Sequence, residues 1–382
     1  MVQSVNNSIP ILNLAQQYKN IAAEVDNLVL GVLASGGYVG GAYVLGFEQQ
    51  FAAYIGVSDC VVCNSGTDAL YLALRALGIG AGDQVITTPF SFFATAEVIS
   101  AVGAKPVFVD IDAQTFNLDV SQVAAAITDK TKAIIPVHLY GQPVDMTALM
   151  AIASAHKLAV IEDCAQSTGA LSQGQQVGSI GHIGCFSFYP TKNLGACGDG
   201  GAVTTNDRAI ADQIRILRTH GETSRYHHEE IGINSRLDSL QAAILQVKLR
   251  YLDTWNEQRR AIASRYHQYL SSFPNIVTPQ ELPSGKGVWN QYTIRLHSKE
   301  QGVRGEWRDK VRQQLQQQGV GSMVYYPIPL HLQPVYKDLG YQQGHFPVAE
   351  QACHEVLSLP IYPELTTEQQ EQVIYTLKDC LN

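Results

Sequence analysis

The chain has 382 residues, 46% hydrophobic and 16% charged, with a formal net charge of −8 and a pI near 5.7. That length exceeds one ordinary core and fits two domains, and the composition fits a packed globular protein. With no basic block there is no nucleic-acid footprint, no apolar run is long enough to span a bilayer, and Met1 to Asn13 lack the pattern of a signal peptide, so the expected location is the cytoplasm.

In chain order, Cys60–Cys63 reads as a buried strand. Its C-x-x-C has no second pair at zinc spacing, so small apolar residues in a reducing compartment are the expectation. Ser65-Gly66-Thr67-Asp68 makes a turn into a helix with Leu70, Ala73, Leu74 and Leu77 on one face, stopped by Gly78 and Gly80. Gln84–Thr88 is the next strand, followed by a helix over Ala94–Val102 and strands over Pro106–Asp110 and Thr131–Leu139. A helix over Ala148–His156 leads into a strand over Leu158–Glu162. Such alternation predicts an α/β fold with a mostly parallel sheet covered by helices on both faces.

Near Gly232 the character changes. Leu240, Ile244 and Val247 mark a long helix running toward Arg260, with Asn234 or Ser235 as its natural N-cap. A Gln-rich helix (Arg308–Gln318) and a Pro-rich stretch (Tyr326–Pro334) follow. The expected division is a large domain over residues 1–250 and a smaller α+β domain over 251–382.

The residues that suggest chemistry come in a sensible order. Lys192 lies between upstream hydroxyls and a run of small residues, Gly195 to Gly201, about thirty residues after an apolar strand that ends in Glu162-Asp163. A lysine amine can form a Schiff base with the aldehyde of pyridoxal phosphate (PLP), and an aspartate at a strand end can hold the pyridine nitrogen protonated. Ser65-Gly66-Thr67, between strand and helix, suits a phosphate, although an ordinary N-cap by Ser65 or Thr67 explains it equally well. Ser187 is placed to reach the same phosphate, and Gln166 a phenolic oxygen of the cofactor. Phe92 is either a ring-stacking residue or plain core. Two adjacent carboxylates are costly unless one is paired. His138 reads as a satisfied strand-end histidine, His227 and His228 as no metal pair, and no metal site is expected. Arg236 suits either an anion or an ion pair with an acid such as Asp238.

Taken together, Ser65-Gly66-Thr67-Asp68, Glu162-Asp163-Cys164-Ala165-Gln166, the Lys192 segment and Asn234-Ser235-Arg236-Leu237-Asp238 resemble the DegT/DnrJ-type sugar-nucleotide aminotransferases, over nearly the whole chain. The resemblance implies fold type I, the aspartate aminotransferase fold, with a mostly parallel seven-stranded sheet. It implies Lys192 as Schiff-base lysine and proton shuttle, and Asp163 and Gln166 on the ring nitrogen and phenolic oxygen. Gly66, Thr67 and Ser187 would hold the phosphate, and Phe92 would stack on the ring. Asn234 would reach the cofactor phosphate of a partner in a homodimer. The implied reaction moves an amino group from L-glutamate, through pyridoxamine phosphate, to a keto-sugar nucleotide. A UDP- or dTDP-linked 3-keto hexose is the nearest match, with C4 amination, scyllo-inosose amination or a non-catalytic regulator as alternatives. The products would serve polysaccharides, lipopolysaccharide or glycosylated metabolites. Two departures stand out: Tyr325-Tyr326-Pro327 where the family often has His-Tyr-Pro, and Cys164 where it often has alanine.

Overall fold

A computed structural model describes residues 8–297 and 305–381. Its centre is a seven-stranded sheet with spatial order Asp59–Cys63, Gly201–Thr205, Ile183–Ser187, Ala159–Asp163, Thr131–Ile134, Gln84–Thr87, Lys105–Phe108. Gly201–Thr205 runs antiparallel to both neighbours, and the pairings beyond it are parallel. The mostly parallel α/β expectation therefore holds.

Burial explains why these strands read as continuous apolar runs. Alternate residues of one strand serve two cores: Val61 and Cys63 pack on one face and Cys60 and Val62 on the other. Helices cover both faces, so most strand positions are apolar, and the buried polar ones such as Glu162 need partners. All seven cysteines are unpaired, and burial pushes the Cys60 and Cys63 thiols up. As small apolar residues pointing to opposite faces, those two follow the structural expectation.

A second, three-stranded antiparallel sheet joins Ile276–Val277, Tyr292–Leu296 and Val356–Leu359. Its core includes Ile262 and Tyr266 of helix Leu252–Leu270, Val311 of helix Glu306–Gln317, and Val373 and Leu377 of helix Thr367–Cys380. Ile9, near the chain start, pairs with Val320 and enters this core.

Three local expectations are corrected. The strand expected over Thr131–Leu139 ends at Ile134, and a 3-10 turn covers Leu139–Gly141 with Tyr140 at φ 57°. The long helix from Leu240 toward Arg260 is two helices, Ser239–Leu249 and Leu252–Leu270. At the break Arg250 and Tyr251 donate backbone N–H to Val247 and Lys248, three residues back, and both side chains bind Glu24 across the fold. This contact across the fold accompanies the break and is invisible to periodicity. Finally, the first helix takes Asp238 as its N-cap rather than Asn234 or Ser235.

Candidate active site

Asp163 is the last residue of its strand and lies on the C-terminal edge of the parallel pairs, where open α/β sheets hold ligands. It is 5% exposed. One carboxylate oxygen accepts from the Thr95 hydroxyl at 2.9 Å and the other from the Ala165 N–H at 3.1 Å. Burial pushes its pKa above the ordinary range, against the pull of these donors and of Lys192. Its neighbour Glu162 resolves the cost of two adjacent acids. Glu162 is fully buried and accepts from the N–H groups of Gly178, Ile180 and Gly181, at 2.9, 2.9 and 2.7 Å. Its fourth partner is His138 Nε2 at 3.0 Å.

His138 is thereby a satisfied core residue. Its Nδ1 accepts from the Val144 N–H at 3.0 Å, so Nε2 carries the proton and donates to Glu162. His138, Glu162 and Cys164 have potential ligand atoms within 4.8 Å of one another. With both ring nitrogens already committed and the Cys164 thiol pushed up by burial, the trio has a hydrogen-bonding rather than a metal-ligating arrangement.

Lys192 is carried on a loop that its neighbours pin from below. Asn193 donates to Asn256 Oδ1 and the Val288 carbonyl at 2.7 and 2.9 Å, and accepts from Asn290 at 2.8 Å. Lys248 reaches the Gly195 carbonyl at 2.7 Å. A side chain at Gly195 would meet the Pro190 carbonyl oxygen at 2.4 Å, so the loop closes only with glycine there. The Lys192 side chain is partly buried. Burial pushes its amine down to about 8, with the nearby Asp163 charge opposing. A depressed amine pKa raises the neutral, nucleophilic fraction near neutral pH.

The strand-to-helix turn lies against Ser187, the end of the strand that leads into the Lys192 loop. Ser65 is the N-cap of helix Gly66–Ala76 and accepts from the Asp68 N–H at 3.1 Å. Of the two caps considered, Ser65 and not Thr67 closes the helix. The N–H groups of Gly66 and Thr67 have no protein partner among the described residues. A Cβ at Gly66 would lie 2.7 Å from Ser187 Cβ, so the turn and Ser187 meet only because residue 66 is glycine. Gly66, Thr67 and Ser187 thus share one corner.

The opposite side is aromatic. Gln166 accepts from the Tyr140 N–H at 2.7 Å and donates to the Tyr326 hydroxyl at 3.0 Å, which leaves one amide hydrogen for another acceptor. The Tyr140 hydroxyl in turn donates to the Tyr325 carbonyl. Phe92 is 58% exposed and its ring lies 6.3 Å from that of Tyr326, so it is not core. Sequence reasoning missed Thr95 and the Tyr326–Gln166 link. Thr95 was visible as a hydroxyl one turn beyond Phe92, but its partner is distant in sequence.

Some candidates stand apart. Arg236 is exposed and makes no ion pair among the described residues, so the pairing with Asp238 does not form. His227 and His228 lie exposed on a short hairpin. Asn234 is exposed, while adjacent Ser235 is buried, donates to Asp68 at 2.6 Å and accepts from the Asn64 N–H at 3.1 Å. The 234–235 segment therefore touches the helix start that carries Gly66 and Thr67.

The fold matches that of solved aminotransferases. DesV of S. venezuelae, crystallised with a ketimine intermediate, superposes with a TM-score of 0.93 at 42% identity, covering 97% of this chain and 98% of that one. The class is fold type I aminotransferase. More narrowly, the chain belongs to the DegT/DnrJ/EryC1/StrS aminotransferase family, whose model matches residues 19–378. Among curated relatives, a "Pleiotropic regulatory protein" of Geobacillus stearothermophilus is 49% identical, over 96% of this chain and 97% of its own length. The UDP-N-acetyl-3-dehydro-alpha-D-glucosamine 3-aminotransferase of Acidithiobacillus ferrooxidans is 44% identical over 99% of both.

Proposed function

We propose that this chain is a PLP-dependent aminotransferase that passes the amino group of L-glutamate to the ketone of a sugar nucleotide, a UDP- or dTDP-linked 3-keto hexose best fitting its relatives. The observation that carries the reading is a partly buried, pKa-lowered lysine within electrostatic reach of a buried strand-end aspartate, in a chain of an aminotransferase family. Relatives named for 3-amino sugar transamination support the substrate class.

The residues present fit the cofactor. Two free N–H groups and Ser187 in one corner suit its phosphate. The buried Asp163 carboxylate lacks a full cationic partner, which a protonated pyridine nitrogen supplies. Gln166 keeps one amide hydrogen for the phenolic oxygen, and exposed Phe92 offers a ring face. When bound, the cofactor supplies an electron sink for breaking and making bonds at the amine-bearing carbon. Lys192 would hold it covalently, and its amine, when free, would be the base and acid that moves a proton at the amine-bearing carbon. Thr95 and the Ala165 N–H fix the Asp163 carboxylate in one orientation throughout.

Asn234, exposed beside the Gly66 corner, is read as serving the phosphate of a partner subunit in a homodimer. Seven unpaired cysteines support a reducing, cytoplasmic location, and no described helix is long and apolar enough to cross a membrane. A second reading, a regulator that binds without turnover, is favoured by the names of two relatives, a pleiotropic regulatory protein and a sensory transduction protein.

Spectroscopy separates the two. Borohydride should fix the cofactor irreversibly to the wild type and not to Lys192→Ala, and the cofactor's absorbance should bleach on adding L-glutamate. A spectrum indifferent to every amino donor would favour the regulator.

A further inference from the structure

Helix Ala94–Ala101 starts without a side-chain cap. A serine just ahead of a helix usually gives its oxygen to a free N–H of the first turn. Ser91 does not. Among the described residues its hydroxyl meets the Thr95 hydroxyl, at 2.9 Å, and no backbone N–H. Both side chains are buried, as is Asp163, to which Thr95 is bonded.

Counting hydrogens gives this chain a direction. A hydroxyl has one hydrogen, and an ionised carboxylate only accepts. Thr95 directs its hydrogen to Asp163 Oδ2, at 2.9 Å. The remaining contact therefore uses the Ser91 hydrogen: Ser91 donates to Thr95, and Thr95 donates to Asp163.

Thr95 has another option. A helical threonine readily turns its hydroxyl back to a carbonyl three or four residues earlier. The Phe92 carbonyl, which accepts the Thr95 N–H at 3.3 Å, is placed for that. The Ser91 hydrogen bond favours the orientation that faces Asp163 instead. The loop carrying Ser91 is itself anchored. The Phe90 N–H donates to the Thr88 hydroxyl at 3.1 Å, the Phe90 ring is fully buried, and the Pro89 carbonyl accepts from the Leu330 N–H at 2.7 Å.

We propose that Ser91 is a positioning residue for the cofactor's ring: it acts through Thr95, holding that hydroxyl as a donor to Asp163 and the carboxylate as a charged acceptor for the ring nitrogen. The inference rests on the reading of Asp163 as partner of that nitrogen. A hydrogen bond donated to a carboxylate favours its charged form, and the charged form is the one that pairs with a protonated pyridine.

The test uses PLP and an analogue whose ring nitrogen is replaced by C–H, each titrated into cofactor-free protein. Wild type should prefer PLP by at least about tenfold, because the analogue leaves the buried Asp163 charge without its partner. Thr95→Val keeps the shape and removes the donor, and should narrow that preference about fivefold or more. Ser91→Ala should narrow it about threefold, and Thr95→Ser should retain it. Since Ser91 acts through Thr95, the double variant Ser91→Ala, Thr95→Val should be no worse than Thr95→Val alone. A wild type indifferent to the ring nitrogen would overturn the Asp163 reading and this inference with it. With a wild type that discriminates, three results would overturn the inference alone: an undiminished preference in Ser91→Ala, equal weakening of both ligands, or Ser91 and Thr95 effects that add. Should Ser91→Ala fail to fold, Ser91→Cys, similar in size with a much weaker donor, takes its place.

Discussion

Asp163 and Lys192 each bear a burial cost that the folded protein offsets only in part, and both costs are measurable. The amine of Lys192 has a folded-state pKa of about 8 against an ordinary 10.5. Between those values the unfolded chain holds more protons than the folded one, so the stability of cofactor-free protein rises with pH across that window. Replacement by methionine removes the buried charge. Cofactor-free Lys192→Met should therefore melt above the wild type at pH 7, by no more than about 3 kcal/mol of stability, with the gap closing toward pH 10.5. A gap that does not change with pH would mean the amine is not desolvated. Asp163→Asn keeps shape and burial while removing the charge. Turnover should fall roughly a hundredfold or more, with a smaller loss of cofactor affinity, measured by initial rates and cofactor titration. Near-normal turnover would show that another acid holds the ring. At this scale much was legible in the sequence. Adjacency of Glu162 and Asp163 said that one of them must be paired. The sequence pointed to a ring nitrogen as partner for Asp163, but how Glu162 is satisfied was not legible, because its partners are the N–H groups of Gly178, Ile180 and Gly181, supplied by a loop whose path depends on the whole sheet.

At the scale of elements, strand and helix types followed from apolar runs and periodicity, since burial on both sheet faces imposes them. Ends and breaks did not. At the break Arg250 and Tyr251 contact Glu24, more than two hundred residues away, and Asp238 is the N-cap while Ser235 is bound to Asp68 and Asn64. Phe92 was ambiguous for a similar reason: whether an aromatic in a cluster is core or exposed depends on which neighbours arrive, here Tyr326 from the C-terminal part of the chain. The contact between helix start and strand end makes its own prediction. Gly66→Ala would place a Cβ 2.7 Å from that of Ser187. The corner must open, at a cost of about 1–3 kcal/mol, and cofactor affinity should fall further than Ser187→Ala alone lowers it. Equilibrium binding and thermal melts read the two effects separately. Unchanged affinity in Gly66→Ala would remove this corner from the cofactor's phosphate.

For the molecule as a whole, the question is whether one chain completes a site. Ser235 ties the segment to the Gly66 helix start of its own chain, whereas exposed Asn234 beside it is free to face a partner. If two subunits share sites, mixing inactive Lys192→Ala with an inactive Asn234 variant should restore up to about half of the sites in each heterodimer, because one mixed site holds neither change. Verified heterodimers without activity, alongside active mixtures of each variant with wild type, would assign Asn234 to its own chain. The most direct test of the central reading is transfer itself. Cofactor-loaded protein is given nitrogen-labelled L-glutamate and a panel of UDP- and dTDP-linked keto hexoses, and sugar products and 2-oxoglutarate are counted by mass spectrometry. The expected result is one labelled nitrogen in the sugar for each 2-oxoglutarate formed, greatest with a 3-keto substrate and absent in Lys192→Ala. Cofactor-bound protein that yields no labelled sugar from any member of the panel would contradict it.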